Sequence, residues 1–445
     1  MKIHPNDETL LGLVRALADQ RQALLWHLAD CMPCRERLRG LPRPADGPSG
    51  ASVDYDAVFA EVGRLLRQRS AALEAERAAA PALCAELWAA PEGEREALLA
   101  EPRFHTWGLC ELLVDRSREE GLCDPARAGV LAALALRLTD RLPRSRLSRT
   151  AGYRPELVED LRARAWGHLG NARRLTADLA GAAEAFSIAG EHLARGTRDA
   201  LEQAALLDLE ASLRRDERRF DEALRLLGAA VAAFLRNGER HRAGRSLVQA
   251  SLVHCYAGQT EEGIADLRRA LQLIDPAAEP RLLLCARHNL IDCVTEAGRY
   301  AEALALYRLA LPLYRCFPDA WTQNRRKWVK GKIDLGLGRL AAGEALLHAA
   351  RAGFAAEGAP YDMALVSLDL SLLYARQGRT AELKQVAAGM LPVFVSRGIH
   401  REALAALAFL QQAADAETAT LDLVTRVAAH LRRAQHDPDL CWPAG

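Results

Sequence analysis

The sequence predicts an all-α protein in which most of the chain forms a solenoid of repeated helix-turn-helix units. Alanine, leucine and arginine, which favour helices, dominate the 445 residues. The β-branched and aromatic residues that favour strands are sparse, and aromatic residues make up only 5% of the chain. Segments of similar sequence also recur about every 40 residues, which indicates a repeat architecture.

Six segments define this repeat. They cover residues 178–186, 219–227, 259–267, 299–307, 339–347 and 379–387. The fifth residue of each segment is taken as its anchor, which gives Ala182, Ala223, Gly263, Ala303, Gly343 and Leu383. The spacing between successive anchors is nearly constant along the whole set, as a repeat architecture requires. A weaker seventh unit is expected around Leu423.

The residues around the anchors predict how each unit folds. The positions four and seven residues after the anchor are apolar throughout, and these offsets share one face of a helix. Glycines stand five residues before four of the anchors, at Gly258, Gly298, Gly338 and Gly378, and predict left-handed helix C-caps. Each unit is therefore expected to be a helix, a tight turn and a second helix.

This pattern resembles the tetratricopeptide repeat. The first unit is the most similar, and its residues at six positions typical of the family are Trp166, Leu169, Gly170, Ala182, Phe186 and Ala189. The resemblance covers about residues 150–435 and implies a superhelix that binds another protein along the face formed by the first helices. The family period is about 34 residues. The period of 40 found here predicts longer helices and weakens any transfer of ligand-binding positions.

Four polar residues on the first helices are the candidate partner-binding residues. They are Arg245, His288, Asp292 and Arg326. The alternative for each of them is a solvated helix face that binds nothing.

A small cluster of metal-binding residue types lies near the N-terminus. His27 and Cys31 are four residues apart and share a helix face, and Cys34 completes a Cys-x-x-Cys pair. Imidazole and thiolate groups are the ligands that zinc prefers. A closed structural site needs a fourth ligand, and His4 is the only other histidine or cysteine that precedes Cys84 in the chain.

Residues 1–40 resemble the zinc-binding anti-sigma domain, a small helical unit that sequesters a sigma factor of RNA polymerase. The resemblance implies that Zn²⁺ is bound by His27, Cys31 and Cys34, with His4 as the fourth ligand by its position. Two alternatives remain open: a degenerate site without metal, and a cysteine pair that acts as a redox switch.

The remaining sequence predicts the domain boundaries. Residues 41–52 are rich in proline and glycine and indicate a linker, residues 53–147 are expected to form helices that cap the repeats, and residues 148–445 form the superhelix with its C-terminal cap. Six arginines lie in or beside the junction before the repeats: Arg137, Arg141, Arg144, Arg146, Arg149 and Arg154. A solvated loop is the favoured interpretation of this segment, and a docking patch or a protease-sensitive loop is the alternative.

Several functional classes are not expected. The 59 basic and 58 acidic residues nearly cancel, which argues against nucleic acid as a direct partner. We find no secretory signal pattern and no membrane-spanning apolar stretch, so we expect a cytoplasmic protein. Neither a glycine-rich phosphate loop nor a Gly-x-Ser-x-Gly elbow occurs, and we therefore expect no enzymatic activity.

The chain as a whole resembles bacterial regulators that join an anti-sigma-type zinc domain to tetratricopeptide repeats. This resemblance predicts a protein-binding regulator, such as an anti-sigma-like factor or adaptor in transcriptional or defence signalling. The expected partner is a sigma factor, or a protease or effector of a signalling cascade, released by ligand binding or by proteolysis. The alternative is a structural scaffold in a larger complex, in which zinc only stabilises the N-terminus.

Overall fold

A computed structural model describes residues 5–11, 24–25, 27–28, 31–41, 55–121, 123–143, 153–396, 407, 410–414 and 418–434. Within these ranges every regular element is a helix and no strand is found. The predicted all-α repeat fold is therefore confirmed. The chain divides into two compact units, residues 1–202 and residues 203–445.

The described residues of the first unit include eight α-helices with given bounds, one short 3-10 helix, Pro102–Phe104, and the helical residues 24–25 and 27–28. The α-helices are α1 (Asp7–Leu11), α2 (Met32–Gly40), α3 (Tyr55–Ala89), α4 (Glu92–Leu99), α5 (Trp107–Glu120), α6 (Pro125–Arg141), α7 (Pro155–Leu175) and α8 (Leu179–Arg195). The side chains of Thr106 and Asp124 accept hydrogen bonds from the first turns of α5 and α6, so each of these helices begins at an N-cap.

Helices α3 to α6 share one apolar core with α7, the first helix of the first repeat. Phe104 and Leu109 are fully buried in this core, which also contains Val158 and Leu161 of α7. Helices α3 to α6 thus cover an apolar face of the first repeat, and their role as a cap stays a prediction. Nearly all of the proposed linker, residues 42–52, lies outside the described residues.

The described residues of the second unit include eleven helices with given bounds and the helical residues 407 and 410–414. The five helix pairs are α9 (Ala200–Asp216) and α10 (Phe220–Arg236), α11 (Arg240–Tyr256) and α12 (Thr260–Leu271), α13 (Pro280–Glu296) and α14 (Tyr300–Arg315), α15 (Ala320–Gly336) and α16 (Leu340–Ala356), and α17 (Pro360–Gln377) and α18 (Thr380–Ser396). The last helix is α19 (Leu421–Ala434). The helices begin at regular intervals from Ala200 to Thr380, so each pair occupies one period of the repeat.

The burial pattern follows the predicted register. The anchor and the residues four and seven positions after it are buried in all six units. In the weaker seventh unit, Leu423, Val427 and His430 of α19 are also buried and stand at the same three positions. The burial pattern of the repeat therefore continues into the last helix.

The turns inside the helix pairs are left-handed at one fixed position. Gly258, Gly298, Gly338 and Gly378 have φ angles of 79°, 75°, 76° and 66°, as the sequence predicts. The same position is held by Ala177 in the first pair and Arg218 in the second, with φ angles of 66° and 60°. The turn geometry is thus kept along the chain even where glycine, which adopts it without strain, is absent.

In the part of the chain that the structure describes, no helix combines the length and the apolar character needed to cross a membrane.

Candidate metal centre and repeat surface

The predicted zinc ligands His27, Cys31 and Cys34 are close together. Their ligand atoms all lie within 4.8 Å of one another. Cys31 has an extended backbone and precedes α2, and Cys34 lies in the first turn of that helix. His4, the proposed fourth ligand, lies outside the described residues.

Hydrogen bonds from α2 position the residues around this cluster. Arg35 donates from Nη1 to the backbone carbonyl of Leu28 at 2.7 Å, which connects the segment of His27 to α2. Arg37 forms an ion pair with Asp7 of α1 and donates to the carbonyl of Pro5 at 3.3 Å. The chain segments before the Cys-x-x-Cys pair are therefore held against α2.

The two cysteines lie in the small apolar core of the N-terminal segment. Cys31 is 7% exposed and Cys34 is fully buried, among leucines of this segment and Val58 and Val62 of α3. Burial raises the pKa of the Cys34 thiol, and its hydrogen bond with Cys31 raises it further, while the charge of Arg37 lowers it. A metal ion bound here would have to displace the thiol protons.

The three residues fit a zinc ion. Zinc bonds to thiolate sulfur at about 2.3 Å and to imidazole nitrogen at about 2.0 Å, so the ligand atoms of a tetrahedral site lie roughly 3.5–4 Å apart. Atoms that lie within 4.8 Å of one another satisfy this requirement with only small movements. Two thiols and one imidazole also form the soft donor set that distinguishes zinc sites from calcium or magnesium sites.

On the repeats, Arg245 and Arg326 each have partners within the protein. Arg245 forms an ion pair with Glu279, and His241 lies 3.3 Å from the same carboxylate. Arg326 donates to the side-chain oxygen of Gln323 at 2.8 Å and to the hydroxyl group of Tyr307 at 3.4 Å. These contacts occupy part of the hydrogen-bonding capacity that a bound protein would use.

His288 and Asp292 lie one turn apart on α13. His288 is buried, its Nδ1 lies 2.6 Å from the hydroxyl group of Tyr314, and burial lowers its pKa to about 3. Asp292 accepts a hydrogen bond from Lys332 at 2.7 Å. Burial alone would raise the pKa of Asp292, but the Lys332 ammonium group holds it at about 2. His288 is thus a neutral core residue, whereas Asp292 is an ionised residue of an ion pair.

The assignment of Arg245, His288, Asp292 and Arg326 as a partner-binding site stays a prediction.

A different arginine, Arg325 of α15, stands out in the structure. Its Nε atom is buried and has no hydrogen-bond partner among the residues that the structure describes. None of the ion pairs between described residues includes Arg325. Arg245 holds the same position two pairs earlier and bonds to Glu279, but the residue that corresponds to Glu279 after Arg325 is Ala359. The sequence shows this loss of an acidic partner only when equivalent positions of the repeats are compared, and Arg325 was therefore not among the predicted binding residues.

The groups around Arg325 come from the neighbouring first helices. Burial lowers the pKa of His288 on α13, and the charge of Arg325 lowers it further. Burial raises the pKa of Asp362 on α17, and the charge of Arg325 counteracts this shift. Arg325 is half-buried and Cys285 is exposed, so this surface between α13, α15 and α17 is open to solvent.

Comparisons with known proteins identify the fold. No protein-family model matches the chain, and no curated protein matches it. A solved structure of a Rap protein complexed with competence and sporulation factor has 12% sequence identity and a TM-score of 0.55, and the match covers 74% of this chain and 87% of that one. The chain shares its fold.

Two further solved structures are similar over more of the chain. The apo form of RapI has 12% identity and a TM-score of 0.53, with coverage of 82% of this chain and 97% of that chain. Aspartyl phosphate phosphatase F from Bacillus subtilis has 12% identity and a TM-score of 0.50, with coverage of 89% and 96%. At this identity, the likeness establishes an all-helical repeat fold and nothing finer.

The phosphatase corrects one of our predictions. We expected no enzymatic activity, and that prediction is contradicted because a protein of similar fold is an aspartyl phosphate phosphatase. The prediction rested only on the absence of local sequence motifs. A search for phosphate loops and nucleophile elbows detects only sites built from neighbouring residues. Stacked helices bring together residues from separate repeats, and such sites leave no local sequence motif.

Proposed function

We propose that the second unit binds a peptide, or an extended segment of a protein, on the surface around Arg325, and that the protein regulates its partner through this binding. The observation that carries the proposal is the buried Nε atom of Arg325, for which the described part of the chain provides no hydrogen-bond partner. A buried donor without a partner costs about 1–3 kcal/mol. A ligand that supplies an acceptor to this guanidinium group recovers that free energy on binding.

The chemistry of the surface favours a carboxylate as the group that meets Arg325. A guanidinium group presents a planar fork of donors that matches the two oxygens of a carboxylate. Asp362 on the adjacent α17 is an acceptor for an amide N–H group. An acidic side chain next to a peptide backbone supplies both of these groups. The Rap structure of similar fold, complexed with competence and sporulation factor, is consistent with a regulator that holds a signalling partner.

The proposal can be tested with a phage-displayed library of random peptides. The full-length protein is expected to enrich peptides that contain aspartate or glutamate, whose affinity is then measured by fluorescence anisotropy. Replacing Arg325 with alanine should weaken binding of an enriched peptide at least about ten-fold, because a charge-assisted hydrogen bond contributes about 1.5–3 kcal/mol. Arg269→Ala is the matched control, since it removes an exposed arginine from the second helix α12.

Two results would contradict this assignment. If no peptide is enriched over background, the surface does not bind peptides. If Arg269→Ala weakens binding while Arg325→Ala does not, the site lies among the second helices.

For the N-terminal segment, we propose that His27, Cys31 and Cys34 hold a structural Zn²⁺ ion together with His4. The ion supplies a cross-link between the segment of His27 and α2, and it has no assigned role in a reaction. The resemblance to anti-sigma domains supports a sigma factor as the partner of residues 1–40. The competing proposal is a scaffold in which this segment contributes stability only.

Removal of residues 1–45 separates these two proposals. Purified sigma factors from the source cell serve as probes, and binding is measured by pull-down with the full chain and with the shortened chain. A regulator of the anti-sigma type loses binding when the segment is removed. If the shortened chain binds sigma factors as well as the full chain, or if neither binds, the anti-sigma proposal is wrong.

A further inference from the structure

Two thiols from consecutive helix pairs lie in direct contact in the second unit. The Sγ atoms of Cys255 on α11 and Cys293 on α13 are 3.0 Å apart. Cys293 stands at a core position of the repeat, where the other first helices of this unit carry Leu213, Val253, Ile333 and Leu373. The contact therefore bridges two adjacent first helices, and on the α13 side a thiol replaces the aliphatic side chain of the other pairs.

The local packing leaves room for the Cys255 sulfur atom. A Cβ atom added to Gly263 of α12 would lie 3.1 Å from it. Three of the six repeats carry alanine at this anchor position, whereas glycine at residue 263 leaves space beside the sulfur atom. Cys255 is half-buried and Cys293 is 8% exposed. Residue Cys255 is thus more exposed than its partner Cys293.

The two thiols differ in acidity. The hydrogen bond with Cys293 lowers the pKa of Cys255, although burial and the charge of Asp292 oppose this effect. The same hydrogen bond, together with burial, raises the pKa of Cys293. Cys255 is therefore the thiol that ionises first, and the thiolate is the nucleophilic form of cysteine.

We propose that Cys255 and Cys293 are a peroxide-sensitive modification site that closes to a reversible disulfide and links α11 to α13. This inference does not rest on the proposed function. The contact between the two sulfur atoms and the greater exposure of residue Cys255 carry it. The oxidant is a hydroperoxide, and reduction by a small dithiol restores the two thiols.

The reaction balances in two steps. The Cys255 thiolate attacks one oxygen atom of hydrogen peroxide, an S–O bond forms, the O–O bond breaks, and the departing hydroxide takes up a proton to become water. The Cys293 sulfur, after loss of its proton, then attacks the sulfenic sulfur of Cys255. The S–S bond forms, the S–O bond breaks, and a second water molecule leaves. The two thiols lose two electrons and two protons in total, and the peroxide is reduced to water.

The test is peptide mapping of the full chain after treatment with hydrogen peroxide. Trypsin cuts after Arg245, Arg268, Arg287 and Arg299, so Cys255 and Cys293 lie alone in fragments 246–268 and 288–299. The remaining thiols are alkylated before digestion. We expect a linked pair of these two fragments that exceeds every other cysteine-linked pair and disappears after treatment with dithiothreitol.

Substitutions provide the controls. Cys293→Ser should leave Cys255 at the sulfenic acid stage, where dimedone traps it, while Cys285→Ser should leave the linked pair unchanged. Cys285 is exposed and lies in a separate fragment, 282–287. The proposal is wrong if the wild-type chain oxidises Cys255 to the sulfonic acid while Cys293 stays open to alkylation. It is also wrong if Cys255 pairs mainly with Cys285. The wild-type map decides between these results even if a variant fails to fold.

Discussion

The imidazole of His288 lies 2.6 Å from the hydroxyl group of Tyr314, in the core between α13 and α14. Tyr314 is among the largest fully buried side chains, and His288 is 8% exposed. The rings meet edge to face, with their centroids 6.1 Å apart. Because burial disfavours a charge on His288, its pKa falls to about 3 and the side chain is neutral at physiological pH. This contact holds one helix pair together and makes its stability sensitive to acid.

We expect the stability of the second unit to fall as the pH drops below about 6.5, the ordinary pKa of histidine. The unfolded chain takes up a proton at His288 below this value, while the folded chain stays neutral until its pKa of about 3. Proton uptake by the unfolded state lowers the free energy of unfolding by about 1.4 kcal/mol per pH unit in this window.

The measurement compares wild-type protein with His288→Gln by urea denaturation at pH 7 and pH 5. Glutamine can keep the hydrogen bond to Tyr314 but does not titrate. Wild type should lose about 2 kcal/mol more than the variant between these two pH values. Equal losses would show that His288 can be protonated without unfolding.

Ala177 offers a gain in stability at the turn between α7 and α8. Its φ angle of 66° is strained for alanine, and its side chain is exposed. Replacing Ala177 with glycine should raise the free energy of unfolding by about 1 kcal/mol, because it relieves the left-handed strain without removing a packed side chain.

The reverse substitution at an equivalent turn is the control. A Cβ atom added to Gly258 meets no atom within 4 Å, so Gly258→Ala tests backbone strain alone. It should lower the free energy of unfolding by about 1 kcal/mol, as measured by chemical denaturation. If Ala177→Gly lowers stability, the left-handed conformation in the first pair is not strained.

Gly343 is needed where α15 and α16 pack closely. A Cβ atom there would lie 2.6 Å from Cδ2 of Leu335 and 3.0 Å from the carbonyl oxygen of Gly331. We expect Gly343→Ala to lower the free energy of unfolding by about 1–3 kcal/mol, because an overpacked core forces its neighbours to move.

A double-mutant cycle identifies the cause. Leu335→Ala creates space beside residue 343, so the combined variant should lose less stability than the sum of the two single losses. Additive losses would place the strain at the Gly331 carbonyl oxygen rather than at the Leu335 side chain. Ala223 and Ala303 hold the same anchor position in other pairs, which shows that alanine is tolerated where the neighbouring side chain differs.

The fold could be predicted from the sequence because it depends on a repeated pattern. The anchors and their two following positions are buried in every unit, as the period of the repeat and the helical offsets predict. The left-handed turns at Ala177 and Arg218 were not predicted, because alanine and arginine, unlike glycine or asparagine, do not indicate such a turn in a sequence.

The candidate site on the repeats was harder to predict. Arg245 and Asp292 have the polar character of a binding residue, but each is engaged by a residue of the next helix pair, Glu279 and Lys332 respectively. Both contacts join residues that lie far apart in the sequence. Arg325 was missed because the loss of its acidic partner shows in the sequence only when equivalent positions of the repeats are compared, and its buried Nε atom shows only in the packed structure.

Removal of the metal is expected to affect the N-terminal segment and to leave the repeats unchanged. The full chain purified with zinc should contain about one ion, and a chelator should remove it and loosen the N-terminal segment alone, because structural zinc contributes directly to folding. Hydrogen exchange measured by mass spectrometry should become faster in peptides that cover residues 27–41. Peptides from α11 to α17, which have their own core, should keep their exchange rates.

Single substitutions then identify the ligands of the metal. Cys34→Ser should reduce the bound zinc at least about ten-fold, since loss of a ligand or its support commonly costs about 10–100-fold in affinity. Cys123→Ser, which changes an exposed cysteine outside the cluster, should leave the zinc content unchanged. His4→Ala should weaken binding in the same way as Cys34→Ser if His4 is the fourth ligand. If Cys34→Ser keeps its zinc, the metal is bound elsewhere. If the chain from which zinc has been removed shows the same hydrogen-exchange rates as the untreated wild-type chain, the site is degenerate.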